Sequence, residues 1–578
     1  MKILLLHPSD SPLRGPWSEQ KWDLVVDLGK CSEATADAWK AQLGCPVLRL
    51  ETFRRNLEDS RHAGRIMRTG FGRLVDQYGL DWWELTSLHI HAEVETAVAL
   101  RQLISEAKLS GALYGTRRAW PVTGVAALLG CEIRTFEMHS SFNLFRRLGY
   151  YARAYRRLSF NQSVQIFCDK YDASYRWRSR LASTPAHRHE DSILVPSAYT
   201  NVSRKAGEYA RSLPDEKFLF VITRQSGRQF EIPANGVVAP LAAYARSETA
   251  ISATADLLGK WADFLKQLQQ VPELDLLARL GQFAPVERWL AAGPAVRDAW
   301  LAVLHQERIS AVLCGDDSNW YTRLPVLLAR KQKIPTLDFH HGAFDGRFLL
   351  KDLSSDFYLA KNEMERDYLI RVCGLPTERI VVPTFHHTSS PPLRKNVAAG
   401  SQIVYFSEPY ESQAGRPQEV YRELLPALAD LARNHDRELV VKLHPFENAS
   451  ERKRFVKRAL GPDKATAVKI ISGPLSPHLL ASTWFGITVE SSTVLDCAKN
   501  GVPCFLCEWL ALGNFGYIQQ FARFGVGRLL HSPAELNKIP HLLAEWDYGS
   551  GTALDYDESC TAETLRQWLK GSPVPASE

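Results

Sequence analysis

The sequence predicts an α/β protein built on two Rossmann-like domains, and three observations carry that expectation. Short apolar, β-rich runs alternate with helical stretches along the chain, the pattern of parallel sheets joined by helical crossovers. At 578 residues the chain exceeds what one hydrophobic core supports. Pro391–Gly400, rich in Pro, Ala, Lys and Asn, reads as a linker. The expected division is an N-terminal α/β domain over 1–390 and a second Rossmann-like domain over 400–572, the two facing a cleft. Ligands of such sheets bind at the carboxyl ends of the strands, so residues just past strands are the ones that matter.

The first run, Ile3–Leu6, ends in His7-Pro8-Ser9 and lacks a long apolar region or a small-residue cleavage site. It reads as a strand and not as a signal peptide. Val47–Leu50, Gly111–Tyr114, Val164–Cys168, Ile193–Val195, Phe218–Thr223, Ala311–Cys314 and Thr336–Phe339 follow as strands. Residues 250–310 break the alternation. Leu257, Leu258, Trp261, Phe264, Leu265 and Leu268 recur there at helical spacing, which predicts a helical insertion. Ser355–Ala360 is the next strand, then a helix over Glu363–Val372 stopped by Gly374, then Ile380–Val382. Beyond the linker, strands are expected at Ile403–Phe406, Leu439–Leu443, Val468–Ile471, Gly486–Val489 and Pro503–Leu506. The tail from Pro573 is expected to fray.

Composition narrows the function classes. The 70 basic and 64 acidic residues leave a net charge of +6, mild for this size and compatible with anionic substrates. Arg153, Arg156 and Arg157 form a short cluster mixed with aromatics, which suits a solvated helix face better than a nucleic-acid footprint. Cys168, Cys314 and Cys504 sit inside strand-like runs, as buried reduced thiols do. Cys504 and Cys507 have the C-x-x-C spacing but no second pair, so no metal or redox role is assigned to them. No run of 18 apolar residues occurs, so no spanning helix is expected. The expected setting is cytoplasmic, at most peripheral to an inner membrane.

Four constellations carry chemistry. Lys442-Leu443-His444-Pro445 closes a strand and turns His444 out of its carboxyl end, where an imidazole can donate to a phosphate or a nucleotide carbonyl. Taken alone, a histidine capping a turn explains it as well. Glu490-Ser491-Ser492-Thr493 runs from a strand into a helix, with Ser491 or Ser492 as N-cap. Such a terminus attracts an anionic phosphate, and ordinary capping is the competing explanation. Asp316 and Asp317 follow the strand Ala311–Cys314. One is a candidate general base or nucleophile, the other a cap for the next helix. His340, His341 and Gly342 follow Thr336–Phe339, and two adjacent histidines alone make no metal site. Glu408 and Tyr410 follow the first strand past the linker, and Arg224 and Arg228 follow Phe218–Thr223 as cations suited to an anionic sugar, although a basic surface loop explains the two arginines better.

The His-Pro turn and the Ser-Ser-Thr turn, about 45 residues apart on one sheet edge, resemble the paired motifs of bacterial sialyl-, polysialyl- and Kdo transferases that use CMP-activated donors. More loosely they resemble the CDP-glycerol phosphotransferases. The run Gly501-Val502-Pro503-Cys504-Phe505 after the helix Thr493–Asn500 looks like the segment closing many glycosyltransferase donor domains. The resemblance covers roughly 400–510 well, 310–390 moderately and 1–250 poorly. It implies a GT-B arrangement and a glycosyltransferase needing neither metal nor cofactor, with a nucleotide-sugar donor and a glycan or lipid-linked glycan acceptor. By it, His444 meets the CMP part of the donor, Ser491 and Ser492 its phosphate, and His341-Gly342 lies on the donor side. Asp316 or Asp317 carries the base, although Ser318 stands where those enzymes have Gly. The expected function is transfer of an acidic Kdo- or sialic-type sugar from CMP onto a bacterial surface glycan. The alternatives are a CDP-alditol phosphotransferase, a UDP-sugar glycosyltransferase, and a non-catalytic sugar- or nucleotide-binding protein on the same fold.

Overall fold

The computed structural model describes residues 1–7, 10–13, 15–29, 31, 33–53, 57–116, 119–136, 190–228, 230–245, 250–342, 344–382, 400–408, 416–444, 447–511, 515–546 and 558–569. The expected strand Val164–Cys168, the arginines at 153–157, most of the Pro391–Gly400 linker, Tyr410, Pro445 and the tail lie outside the described residues.

All 18 described strands lie in three parallel sheets. The first holds β1 (Lys2–Leu6), β2 (Leu24–Asp27), β3 (Val47–Arg49), β4 (Ala112–Gly115) and β5 (Ile133–Thr135), in the order β3-β2-β1-β4-β5. The second holds β6 (Ser192–Ser197), β7 (Phe218–Ile222), β8 (Gly236–Pro240), β9 (Ile309–Cys314), β10 (Thr336–Phe339), β11 (Phe357–Leu359) and β12 (Ile380–Val381), in the order β12-β11-β10-β9-β6-β7-β8. The third holds β13 (Gln402–Phe406), β14 (Glu438–Lys442), β15 (Val468–Ile471), β16 (Thr483–Thr488), β17 (Cys504–Cys507) and β18 (Arg528–Leu530), in the order β15-β14-β13-β16-β17-β18. Each starts in the middle, winds to one side, then returns and winds to the other. That is the doubly wound order, and it leaves a switch point between the first strand and its later neighbour. The switch points are β1/β4, β6/β9 and β13/β16.

The α/β class with Rossmann-like sheets is what the sequence predicts. Residues 1–390, expected as one domain, carry two separate sheets. The chain also divides into two compact units that cut across that boundary. One comprises Met1–Ser60, Glu95–Glu137 and His387–Asp555, with the five- and six-stranded sheets; the other comprises Arg61–Val94, Met138–His386 and Tyr556–Glu578, with the seven-stranded sheet.

Central strands are sheathed on both faces, which explains their continuous apolar runs. Every residue of β6 and of β7 is buried, as is all but the first of β13. The edge strands β5, β8, β15 and β18 are only partly covered. The expected helical insertion is present as Ala250–Leu268, Pro272–Arg279 and Ala284–Gln306. Leu257, Trp261, Phe264 and Leu268 are buried on its inner face, and Trp261 donates to Glu287 (3.2 Å). The helix expected at Glu363–Val372 is α-helical to Asp367 and widens to a π turn over Tyr368–Val372. No helix among the described residues is long and apolar enough to cross a membrane.

Gly486, in the middle of β16, permits the close packing behind the third switch point. A Cβ there would stand 2.7 Å from the Phe406 ring and 3.2 Å from the Sγ atoms of both Cys497 and Cys504. Gly486→Ala is therefore expected to overpack the sheet and lower stability by about 1–3 kcal/mol. Urea denaturation checks this, and an unchanged midpoint would contradict it.

Candidate functional site

In the six-stranded sheet, the carboxyl ends of β13 and β16 meet at the switch point. Ser407 and Glu408 leave β13; Val489, Glu490 and Ser491 leave β16. Glu408 ties the two loops together. Its Oε1 accepts from the Thr488 hydroxyl (2.8 Å) and from the backbone N–H groups of Val489 (3.2 Å) and Glu490 (2.9 Å). Burial, then repulsion from Glu490, pushes the Glu408 carboxyl up to about 7. Ser491 Oγ lies 2.9 Å from Thr493 Oγ1 and accepts from the Thr493 N–H (3.3 Å). Ser492 is exposed and its side chain makes no capping bond, so of the two serines Ser491 caps this turn. The helix that follows, Thr493–Lys499, has only seven residues, which gives it a short dipole.

His444 follows the neighbouring strand β14, on the same edge. Its turn is pinned from within: the Glu447 Oε2 accepts the His444 N–H (2.7 Å), while Oε1 accepts from the Ser407 hydroxyl (2.7 Å) and Arg452 Nε (2.6 Å). The Glu447 and Arg452 side chains are 0% and 1% exposed, so this pair is sealed. Ser407 also shares a hydrogen bond with the Tyr421 hydroxyl (3.0 Å). Lys442 departs from the expectation that it meets the donor. It is buried, and its ammonium donates to the carbonyls of Leu443 (2.8 Å) and Gly473 (2.7 Å). The strand's alternation points its side chain under the turn, and burial lowers its pKa.

The second group lies in the other compact unit, at the β6/β9 switch point of the seven-stranded sheet. Gly315 follows β9, and a Cβ on it would meet Phe339 at 2.5 Å and Val202 at 2.6 Å. The adjacent aspartates have separate roles. Asp317 is ion-paired with Lys351, side chains 2% and 1% exposed. Burial opposes its charge, but Lys351 and then Arg323 overcome that and hold its pKa below the ordinary value. Neighbouring Asp338 is forced the other way, well above the carboxylate range, by burial and then by the Asp317 charge. Capping, the alternative for these carboxylates, falls to neither: Asn319 Oδ1 accepts from the Tyr321 N–H (3.1 Å) and starts the helix Trp320–Lys331.

Asp316, the other of the two aspartates, is placed differently. Burial raises its pKa to about 6, and Arg347, 3.5 Å away, pulls against that rise. His340 is half-buried, and burial followed by the fields of His341 and Lys361 keeps its imidazole neutral. His341 is exposed, and the Gly342 carbonyl accepts a hydrogen bond from Lys361. Arg224 donates to the Tyr199 hydroxyl (3.1 Å), whereas Arg228 is exposed at the end of a 3₁₀ turn. The expected residues thus fall into two sets. Glu408, His444, Glu490, Ser491, Ser492 and Thr493 share one sheet edge; Asp316, Asp317, His341, Gly342 and Arg224 share the other. Sequence reasoning missed Glu447, Lys351 and Arg347. The first sits three residues from His444, in a turn already singled out; the other two come from a loop with no motif.

No family profile and no curated protein sequence matches the chain. Solved structures do. A putative UDP-N-acetylglucosamine 2-epimerase from Listeria monocytogenes is similar at 13% identity over 67% of this chain and 99% of that one, with a TM-score of 0.42. The UDP-GlcNAc 2-epimerase of Methanocaldococcus jannaschii, in complex with UDP-GlcNAc and UDP, is 14% identical over 66% and 100%, with a TM-score of 0.39. CalG4, the calicheamicin glycosyltransferase, is 13% identical over 67% and 96%, with a TM-score of 0.36. Likeness at this level says nothing of substrate.

Removing one partner of a sealed ion pair strands the other. Lys351→Met is therefore expected to cost about 3–5 kcal/mol, and the double change Asp317→Leu, Lys351→Met to restore much of it. Chemical denaturation of both variants checks the pair. A single variant as stable as the parent would show that Asp317 needs no counter-charge.

Proposed function

We propose that this protein is a metal-independent glycosyltransferase that moves an acidic sugar, of Kdo or sialic type, from a CMP donor onto a bacterial surface glycan. One observation supports this most: the His444 turn and the Ser491–Thr493 turn share one carboxyl edge, the second of them at the β13/β16 switch point. In this reading Ser491, Ser492, Thr493 and His444 hold the nucleotide phosphate, and hydrogen bonds aimed at the leaving oxygen lower the barrier. Glu408 and Glu490 shape the same loops and face the nucleoside. The 400–572 region acts as the donor side, and the unit that carries Asp316 acts as the acceptor side.

The reaction needs one proton moved from the acceptor hydroxyl as its oxygen attacks the anomeric carbon and the bond to the CMP phosphate breaks. Asp316 takes that proton. Asp317 does not compete, because Lys351 holds it as a structural anion.

Three outcomes test the reading. A thermal-shift panel of CMP, CDP, UDP and GDP should raise the melting temperature most with CMP, since a ligand of the folded state stabilises it. A shift with UDP or GDP and none with CMP would sink the cytidine donor. Asp316→Asn should lower turnover about a hundredfold or more, the usual range for a lost general base. A base works deprotonated, so kcat/KM should rise with pH through about 6 and then level. A rate independent of pH from 5 to 8 would remove Asp316 from that role.

A further inference from the structure

The amino edge of the seven-stranded sheet, opposite the edge that carries Asp316, holds an open cavity of about 370 Å³. That volume is at the low end for small-molecule sites. Arg73, Arg330, Lys331, Asp81, Glu84 and Asp356 line it, with Leu80 and Leu327 as its apolar wall. Asp356 fixes its place in the fold. It precedes β11, and its Oδ2 accepts from the N–H (3.0 Å) and the hydroxyl (2.8 Å) of Thr336, the first residue of β10. Arg330 and Lys331 end the 12-residue helix Trp320–Lys331, which runs about 18 Å from the carboxyl edge to this one. The cavity and Asp316 thus belong to one compact unit, at opposite ends of that helix.

Both arginines are held by the Nε side, and their outer nitrogens are left open. Asp81 Oδ1 accepts from the N–H groups of Trp83 (3.1 Å) and Glu84 (3.3 Å), and its Oδ2 from Arg73 Nε (3.1 Å). Asp356 Oδ1 accepts from Arg330 Nε (2.8 Å), and the Ser354 carbonyl from Arg330 Nη1 (2.9 Å). Neither Nη group of Arg73 nor Nη2 of Arg330 has a partner among the described residues. Lys331 is exposed and has no counter-ion among them either. A Cβ on Gly79 would stand 2.9 Å from Lys331 Nζ, so the bare glycine lets this ammonium lie against the turn that leads to Asp81.

The neighbouring charges are spent elsewhere. Glu84 pairs with Arg323, Asp76 in the same turn pairs with Arg297 (2.8 Å), and Arg379 donates to the carbonyls of Leu353, Ser355 and Asp356. Among the lining groups, Arg73 balances Asp81 and Arg330 balances Asp356, which leaves Lys331 as positive charge in excess. The oxygens of Asp81 and Asp356 already accept, and Glu84 Oε2 is the one carboxylate oxygen of the lining without a donor among the described residues. Open donors therefore outnumber open acceptors. Guanidinium groups fixed in advance, with N–H groups unspent, suit an oxyanion.

We propose that Arg73, Arg330 and Lys331 form a binding site for a phosphate or carboxylate group, free or carried on a small hydroxylated metabolite whose hydroxyl meets Glu84. The site stands independently of the transferase reading, because it lies on the edge away from Asp316 and in the unit that does not contain His444.

Ligand-observed NMR titrations of the full chain at fixed ionic strength test this, with glucose 6-phosphate, glucuronate, inorganic phosphate and glucose as probes. The best anionic probe should bind at least about tenfold more tightly than glucose, the value of one charge-assisted hydrogen bond. Its identity distinguishes phosphate from carboxylate and a free ion from one borne on a sugar. The double change Arg73→Gln, Lys331→Gln should abolish the preference, and Lys331→Arg should keep it. Lys333→Gln, which removes the same charge two residues on and outside the cavity, should also keep it. Melting temperatures of all three variants report that the fold is intact. Equal binding of anions and glucose would overturn the site. So would a preference that survives the double change, which places the anion elsewhere, or one that Lys333→Gln weakens as much, which makes it a matter of net charge.

Discussion

Parallel strands joined by right-handed crossovers all end on one edge of their sheet. Where the winding reverses, two neighbouring strands send their crossovers to opposite faces. Their loops must part, and the gap is the one place where backbone and side chains converge without covering each other. This protein uses that constraint three times. Its candidate functional residues fall where the constraint puts them: Ser407, Glu408, Glu490 and Ser491 at one reversal, Asp316 and Asp317 at another.

Buried charge is the second theme. Two sealed ion pairs, Glu447–Arg452 and Asp317–Lys351, each stand directly behind a candidate functional residue. Replacing such pairs by apolar groups often leaves stability unchanged or raises it, so their value here is not simply energetic. Glu447 fixes the backbone N–H of His444; burial and then the Asp317 charge hold Asp338 well above the carboxylate range, and Asp317 adds to the burial that raises Asp316. Each pair sets the orientation or charge of the group in front of it.

Much of this was legible in the sequence, for identifiable reasons. Strands sheathed on both faces appear as unbroken apolar runs, so Ile193–Val195, Phe218–Thr223 and Ile403–Phe406 declare themselves. Edge strands β5, β8 and β18 carry partly exposed residues and look like loops; β2, although fully buried, was not singled out. The five-stranded sheet was hidden for that reason, since two of its five strands were invisible. Residue type at a strand end located Asp316 and Ser491, but could not apportion roles between adjacent groups. The two aspartates were separated by Lys351, 34 residues away, and capping went to Asn319. Lys442 misled because motif membership does not tell which way a strand residue points.

In the proposed transferase, nucleotide holding and proton transfer are divided between two switch points in two compact units. Calorimetric titration of CMP into the parent protein, the His444→Ala, Ser491→Ala double variant and Asp316→Asn addresses it most directly. Binding is expected to weaken about tenfold or more in the double variant and to stay unchanged in Asp316→Asn. Full CMP affinity in the double variant, or its loss in Asp316→Asn, would contradict that division.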